Sequence, residues 1–215
     1  MRHGWLLLLT VFAATLLGCD ARKKTDSKPE SPATNTGMFE PSQVALSEVE
    51  ESQLKALDQP LIFTQADGTI WTAPIGTLTD GASIPEAALP LIGDRFDPRY
   101  LNAAIVHDAY SQTDNAAVTV EQYRRRSWQS THRMFYEACL VGGTPKALAK
   151  TMYAAVLIGG PRWEIDSAEP SQDTNTPLGD AEIMDMTHLC ETYIKETDPT
   201  LEEIEAWVED HRQQP

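Results

Sequence analysis

His107 and Asp108 are the residues of this 215-residue chain best suited to chemistry. An imidazole titrates near neutrality and serves as a general base or a metal ligand, and an adjacent carboxylate can orient it or share the metal. Ala103-Ala104-Ile105-Val106 precede them, so the surrounding helix face is small and apolar. Burying an imidazole or a carboxylate there without a partner is costly, so both must be paired. A second set is Thr79-Asp80-Gly81-Ala82-Ser83-Ile84-Pro85. Asp80-Gly81 makes a tight turn, the Thr79 or Ser83 hydroxyl can cap neighbouring backbone, and Asp80 with the loop N–H groups could meet an anion or a metal. His132 is a further group. Two readings follow. In one, His107, Asp108 and Asp80 are catalytic, and His107, Asp108 and His132 hold a divalent metal. In the other, His107 is a hydrogen-bonded core residue, Asp108 is neutralised by an arginine, and the loop is a structural turn.

The elements that must position these residues are well punctuated. Leu61-Ile62-Phe63 and Ile70-Trp71 flank Asp67-Gly68, a hairpin that feeds the Thr79 loop. Asp97-Pro98 opens a helix to about Ser111, and Thr119 with Gln122 forms a capping box for a second helix ending at Gly142-Gly143. Thr144-Pro145 opens a third, closed by Gly159-Gly160, which is apolar nearly all round and therefore central. Val44, Leu46, Val49, Leu54 and Leu57 predict a short helix before the hairpin. The expected fold is α+β: a small β-hairpin or sheet packed on a three-helix core, with an acidic helical C-terminal tail. A short connection between the first two helices would set His107 opposite Arg124, Arg125 and Arg126, with His132 about two turns farther along unless the helices cross steeply.

The TDGASIP loop, the His107-Asp108-Ala109-Tyr110 run, His132, the Ala154-to-Gly159 stretch and Trp163 resemble, in order and spacing, domain-of-unknown-function family 1353 of bacterial and phage proteins. The resemblance covers about residues 60–163 and implies a fold and a candidate pocket, with no settled activity. His132 stands where the family pattern usually has Asp, and Tyr110 sits one position early. His-Asp followed closely by Tyr, after a turn-rich loop, is also similar to secreted phospholipase A2, where the His activates water and the neighbouring Asp holds calcium. The Gly-rich calcium loop and adjacent cysteines of that arrangement are missing here. HD-type phosphohydrolases need a further upstream His, and none lies between the leader and His107. No HExxH, paired CxxC or GxSxG occurs, which excludes the zincin, zinc-ribbon and serine-hydrolase patterns.

Charge is unevenly spread. The net charge is −15, and residues 164–215 carry fifteen acidic against two basic residues while residues 60–163 carry nine of each. The middle is thus electrically balanced, and no basic footprint for nucleic acid exists. Thr200 with Glu203 caps an acidic amphipathic helix bearing Leu201, Ile204, Trp207 and Val208, which either packs on its own domain or docks on an envelope protein partner. His188 and His211 in this tail read as surface residues.

At the other end, Arg2 and His3 precede an apolar run, Trp5 to Leu17, too short to span a bilayer. It closes on Leu16-Leu17-Gly18-Cys19, which resembles the lipobox of bacterial lipoproteins. That resemblance implies a signal peptide over residues 1–18, lipidation of Cys19 and attachment to a membrane. Asp20 resembles an inner-membrane retention signal and favours the periplasmic face of that membrane over the outer membrane. Residues 19–42 read as a flexible tether, 43–163 as the globular domain and 164–215 as the tail. In such an oxidising compartment Cys139 and Cys190 either pair as a disulfide or stay as buried thiols. The functional expectation splits accordingly. The chain is an envelope lipoprotein that hydrolyses an envelope component, with or without a metal, or it is a non-catalytic scaffold or binding module whose TDGASIP and His-Asp residues form a structural hydrogen-bond network.

Overall fold

In the computed structural model, described for residues 37–82, 92–111, 126–163 and 178–212, two small antiparallel sheets pack against helices. All described residues fall in one unit, Asn35–Pro215. Cys19, Ser83, Ile84, Pro85, Thr119, Gln122, Arg124 and Arg125 lie outside the described residues, as does most of the 166–179 segment.

The Asp67-Gly68 hairpin forms as the sequence predicts. Strand β4 (Leu61–Thr64) pairs with β5 (Ile70–Ala73), and Thr69 N–H donates to the Asp67 carboxylate at 2.8 Å across the turn. Leu61, Phe63, Trp71 and Ala73 alternate inward and are fully buried, the two-residue period of a half-covered sheet. Strand β1 (Met38–Glu40) adds to the free edge of β4, with Phe39 opposite Phe63 and their rings 4.8 Å apart. Regular structure therefore begins inside the span read as tether, because Phe39 has an apolar row to join.

The helix predicted over Val44 to Leu57 is instead a second hairpin. Strand β2 (Leu46–Glu48) pairs with β3 (Lys55–Leu57), and β3 pairs with β6 (Leu78–Thr79). Its apolar spacing fits a helix, but the local hydrogen bonds around Ser52 make a turn. Ser52 N–H donates to the Val49 carbonyl, and its hydroxyl accepts from Leu54 N–H at 3.0 Å. Side chains of this type compete with helix formation in this way.

Helix α1 (Leu101–Ser111) packs on both sheets and on α2 (Trp128–Val141), which packs on α3 (Lys146–Gly159). Asp97 terminates the chain's approach to α1 as expected, accepting from Arg99 N–H at 2.9 Å. The start of α2 differs from expectation. Its N-cap is Ser127, whose hydroxyl accepts from Ser130 N–H, so the described helix begins nine residues after Thr119. The acidic tail supplies α4 (Asp180–Thr197) and α5 (Leu201–Arg212), both packed against α3. Cys190, Ile194, Ile204 and Val208 are buried in the same core as Ala149 and Tyr153. The class is α+β, but its core extends over five helices. Thr200 and Glu203 exchange the capping-box bonds at 2.7 and 3.2 Å. The disulfide reading is corrected: Cys139 and Cys190 are both free and buried. Burial pushes the Cys190 thiol up to about 12 and that of Cys139 higher still, so both stay protonated hydrophobes. Among the described residues no helix is long and apolar enough to cross a membrane.

Candidate functional site

Helix α1 delivers His107 and Asp108 to different neighbours, as consecutive helical residues must, since they point about 100° apart. Asp108 faces the β6 loop. The Thr79 hydroxyl donates to its Oδ2 at 2.6 Å and accepts from Gly81 N–H at 3.0 Å. Thr79 thus caps neighbouring backbone as its sequence position predicts, and the same oxygen holds the buried carboxylate. Glycine is required at 81: its φ is +82°, and a Cβ there would lie 2.4 Å from the Arg95 carbonyl oxygen. That carbonyl also accepts from Ala82 N–H, which fixes the loop against residues 94–97.

His107 faces α2. Its Nε2 lies 2.9 Å from Nδ1 of His132, and its Nδ1 lies 3.2 Å from the Ser111 hydroxyl. Of the three arginines expected opposite Asp108, Arg124 and Arg125 lie outside the described residues and Arg126 turns elsewhere. Because α2 starts at Trp128, the register along α1 shifts and brings His132 to His107. Arg126 instead donates to the Ile70 carbonyl and lies over the Trp71 ring.

Both imidazoles are buried. Burial lowers His107 from its usual 6.5 to about 4. His132 is held well below 6.5 by burial first, then by the nearby His107 and Arg162, with the Pro161 carbonyl acting in the opposite sense. Phe135 packs on His107, and Trp128 and Trp163 pack around His132. His132 Nε2 is fully enclosed and makes no hydrogen bond within the described residues. The three groups read as metal ligands do not converge. Asp108 is turned to Thr79 while the two imidazoles face each other, and among the described residues no His, Cys, Asp or Glu side chains form a group of three or more suited to a metal.

A cavity of about 250 Å³ opens beside His107. Its polar corner is His107, Asp108 and Ser111, and Gly81 and Ala82 form its rim on the loop side. Phe135 and a wall of α3 residues, Met152, Ala155, Val156 and Gly159, make the rest of it apolar. The Ala154-to-Gly159 stretch singled out in the sequence is this wall. Asp80 is half-buried and does not line the cavity, and His132 stands behind His107. Tyr110 is turned away: it packs edge-on to Trp71 at 4.8 Å, and its hydroxyl accepts from Thr72 N–H. In the tail, His188 is exposed, whereas His211 stacks on Trp207 at 3.7 Å. Ser111 was not among the sequence candidates. Its position one helical turn after His107 is the signal that would have found it.

The comparisons with known proteins fit this placement. An uncharacterized protein of Sinorhizobium fredii (strain NBRC 101917 / NGR234), y4jT, is 31% identical over 152 residues, which is 70% of this chain and 42% of the relative. Another from the same organism, y4iH, is 35% identical over 109 residues, 51% of this chain and 41% of the relative. The chain thus spans less than half the length of these relatives. No solved structure matches. The model of a family described as "Protein of unknown function (DUF1353)" matches residues 55–156, and that segment, which contains Thr79, His107, Asp108 and His132, is a domain of this family.

Proposed function

We propose that the protein is an envelope hydrolase with His107 as its general base, carried on a membrane by lipidated Cys19 at the periplasmic face of the inner membrane. The observation that supports it is the placement of His107. It lines an apolar cavity together with Ser111 while His132 occupies its Nε2, so Nδ1, 3.2 Å from the Ser111 hydroxyl, is the nitrogen not committed to the other imidazole. In this reading the His132 proton sits on Nε2, the nitrogen away from His107. His132 Nδ1 then accepts from His107 Nε2–H, and His107 Nδ1 carries the lone pair. That nitrogen takes a proton from water as the water oxygen bonds to an acyl carbon, and the imidazolium returns the proton to the departing oxygen or nitrogen. His132 orients and polarises the base, as a third group does in other activated sites. Asp108 and Thr79 hold the rim of the cavity in place.

The test is hydrolysis of ester, phospholipid and peptidoglycan substrates by residues 20–215, which keep the whole unit Asn35–Pro215. One class is cleaved, and His107→Gln lowers kcat/KM by about 10²–10⁴. Absence of cleavage in all classes sinks the proposal.

A second reading has its own observation. Asp108 is 3% exposed and its carboxylate is held by Thr79, the arrangement of a structural lock. On this reading the chain is a non-catalytic lipoprotein whose exposed acidic tail surface meets an envelope partner. His107→Gln would then lower stability and leave no activity to lose.

A further inference from the structure

We infer that the cavity beside His107 seats the unbranched acyl chain of the molecule on which the site acts; this rests on the hydrolase reading and names its substrate class. The wall is one stripe of α3. Met152, Ala155, Val156 and Gly159 follow the three- and four-residue spacing that puts side chains on one helix face. At 1.5 Å per residue the stripe runs about 10 Å, the reach of a medium-length saturated chain.

Burial is graded along it. Met152 is buried, Ala155 and Val156 are half-buried and Gly159 is exposed, so the wall leads from the interior to the surface. The three polar groups, His107, Asp108 and Ser111, are all buried and line the same cavity. Gly159 keeps the outer end open: a Cβ there would lie 2.9 Å from Cδ1 of Ile183 on α4, the residue that faces it across the mouth. Asp108 and His107 are the lone titratable groups among the described lining residues, and the α3 wall offers no side-chain hydrogen-bond donors or acceptors. A glycan or a peptide would bury its hydroxyls and amides unpaired against such a surface, which is costly. A hydrocarbon chain loses nothing there.

Isothermal titration of residues 20–215 with straight-chain 1-alkanols, from butanol to dodecanol, tests this without bringing a charge to Asp108. Saturable binding is expected, with affinity rising about fourfold for each added methylene and levelling once the stripe is covered. Ala155→Phe, at a half-buried position, brings the levelling point to a shorter chain. Ile183→Ala carries it to a longer one. Because the two variants act in opposite directions, a loss of folding cannot imitate the pair. No binding, binding without chain-length dependence, or a levelling point that neither variant moves overturns the inference. The hydrolase reading fails separately. Alkanols that bind as expected to a protein that cleaves no ester leave the acyl seat standing, whereas His107-dependent cleavage of acetyl esters without alkanol binding removes the seat alone.

Discussion

Nε2 of His107 and Nδ1 of His132 meet at 2.9 Å, buried between α1 and α2. Two imidazoles placed this way cannot both be charged at modest cost, and among the described residues neither is paired with a carboxylate that would offset a proton. The neutral pair is therefore the folded form.

That neutrality makes stability depend on pH. His107 titrates at about 4 in the folded chain against 6.5 when exposed, so on acidification the unfolded chain takes up the proton first. The stabilisation is complete above about pH 6.5 and is lost progressively down to about pH 4, about 3 kcal/mol from His107 alone, with His132 acting in the same direction. Urea denaturation between pH 7 and pH 4 measures it. The fall in midpoint must be visibly shallower in His107→Gln, and equal falls would contradict the assignment.

On the hydrolase reading the same pair sets the acid limb of activity. His107 must be neutral to act as a base, so kcat/KM should fall near pH 4 rather than near 6.5. His132→Asp places a carboxylate against His107 Nε2 and favours the imidazolium. The limb then moves upward, while a purely structural role for His132 would change the rate and leave the limb in place. The pH–rate profile of the two proteins is the measurement.

How far these residues were readable beforehand depended on whether their partners were local. Gly68, Asp97, Thr144-Pro145 and Thr200-Glu203 announce their turns and caps within a few residues, and the structure follows them. Thr79's capping of Gly81 was legible for the same reason. Its bond to Asp108, 29 residues away, was not. The meeting of His107 with His132 depended on where α2 begins, and the Thr119 signal pointed to an earlier start than the Ser127 cap that the structure shows. The Val44-to-Leu57 segment misled because five apolar residues fit a helical face equally well, and strand pairing of Leu46 with Leu57 decided the matter. In the tail, the stripe of Leu201, Ile204, Trp207 and Val208 already offered packing on the domain as one reading, whereas the burial of Ile194 on α4 beside it had no such local signal.

Thr79 offers a sharper test of the loop. Its hydroxyl satisfies both the Asp108 carboxylate and Gly81 N–H. Thr79→Val keeps the shape and leaves both groups without that partner, at a cost of about 1–3 kcal/mol. Thr79→Ser restores the hydroxyl and should recover most of the loss. Chemical denaturation of the three proteins decides it, and equal stability of the Val and Ser variants would show that the bond contributes nothing.

The tail is expected to be indispensable to folding. Arg133 on α2 grips Glu205 on α5 with two bonds, Nε at 2.7 Å and Nη2 at 2.8 Å, and the Tyr153 hydroxyl donates to the same carboxylate. Burial pushes Glu205 upward, but the bonds from Arg133 and Tyr153 outweigh it and hold the carboxyl below its usual range. Glu205→Ala removes all three bonds at once and should cost about 1–3 kcal/mol. Glu202 also reaches Arg133, at 3.0 Å, but is 67% exposed and screened by water, so Glu202→Ala should cost far less than Glu205→Ala. Truncation after residue 179 goes further, because it strips Cys190, Ile194, Ile204 and Val208 from the core they share with Ala149 and Tyr153. Each buried aliphatic side chain removed forfeits about 1.5–3 kcal/mol of burial, a large share of a domain's whole stability. Residues 20–179 should therefore melt without a cooperative transition by circular dichroism. A sharp transition in that fragment would show that the helices of residues 101–159 and the two sheets suffice, and that the acidic helices are an appendage after all.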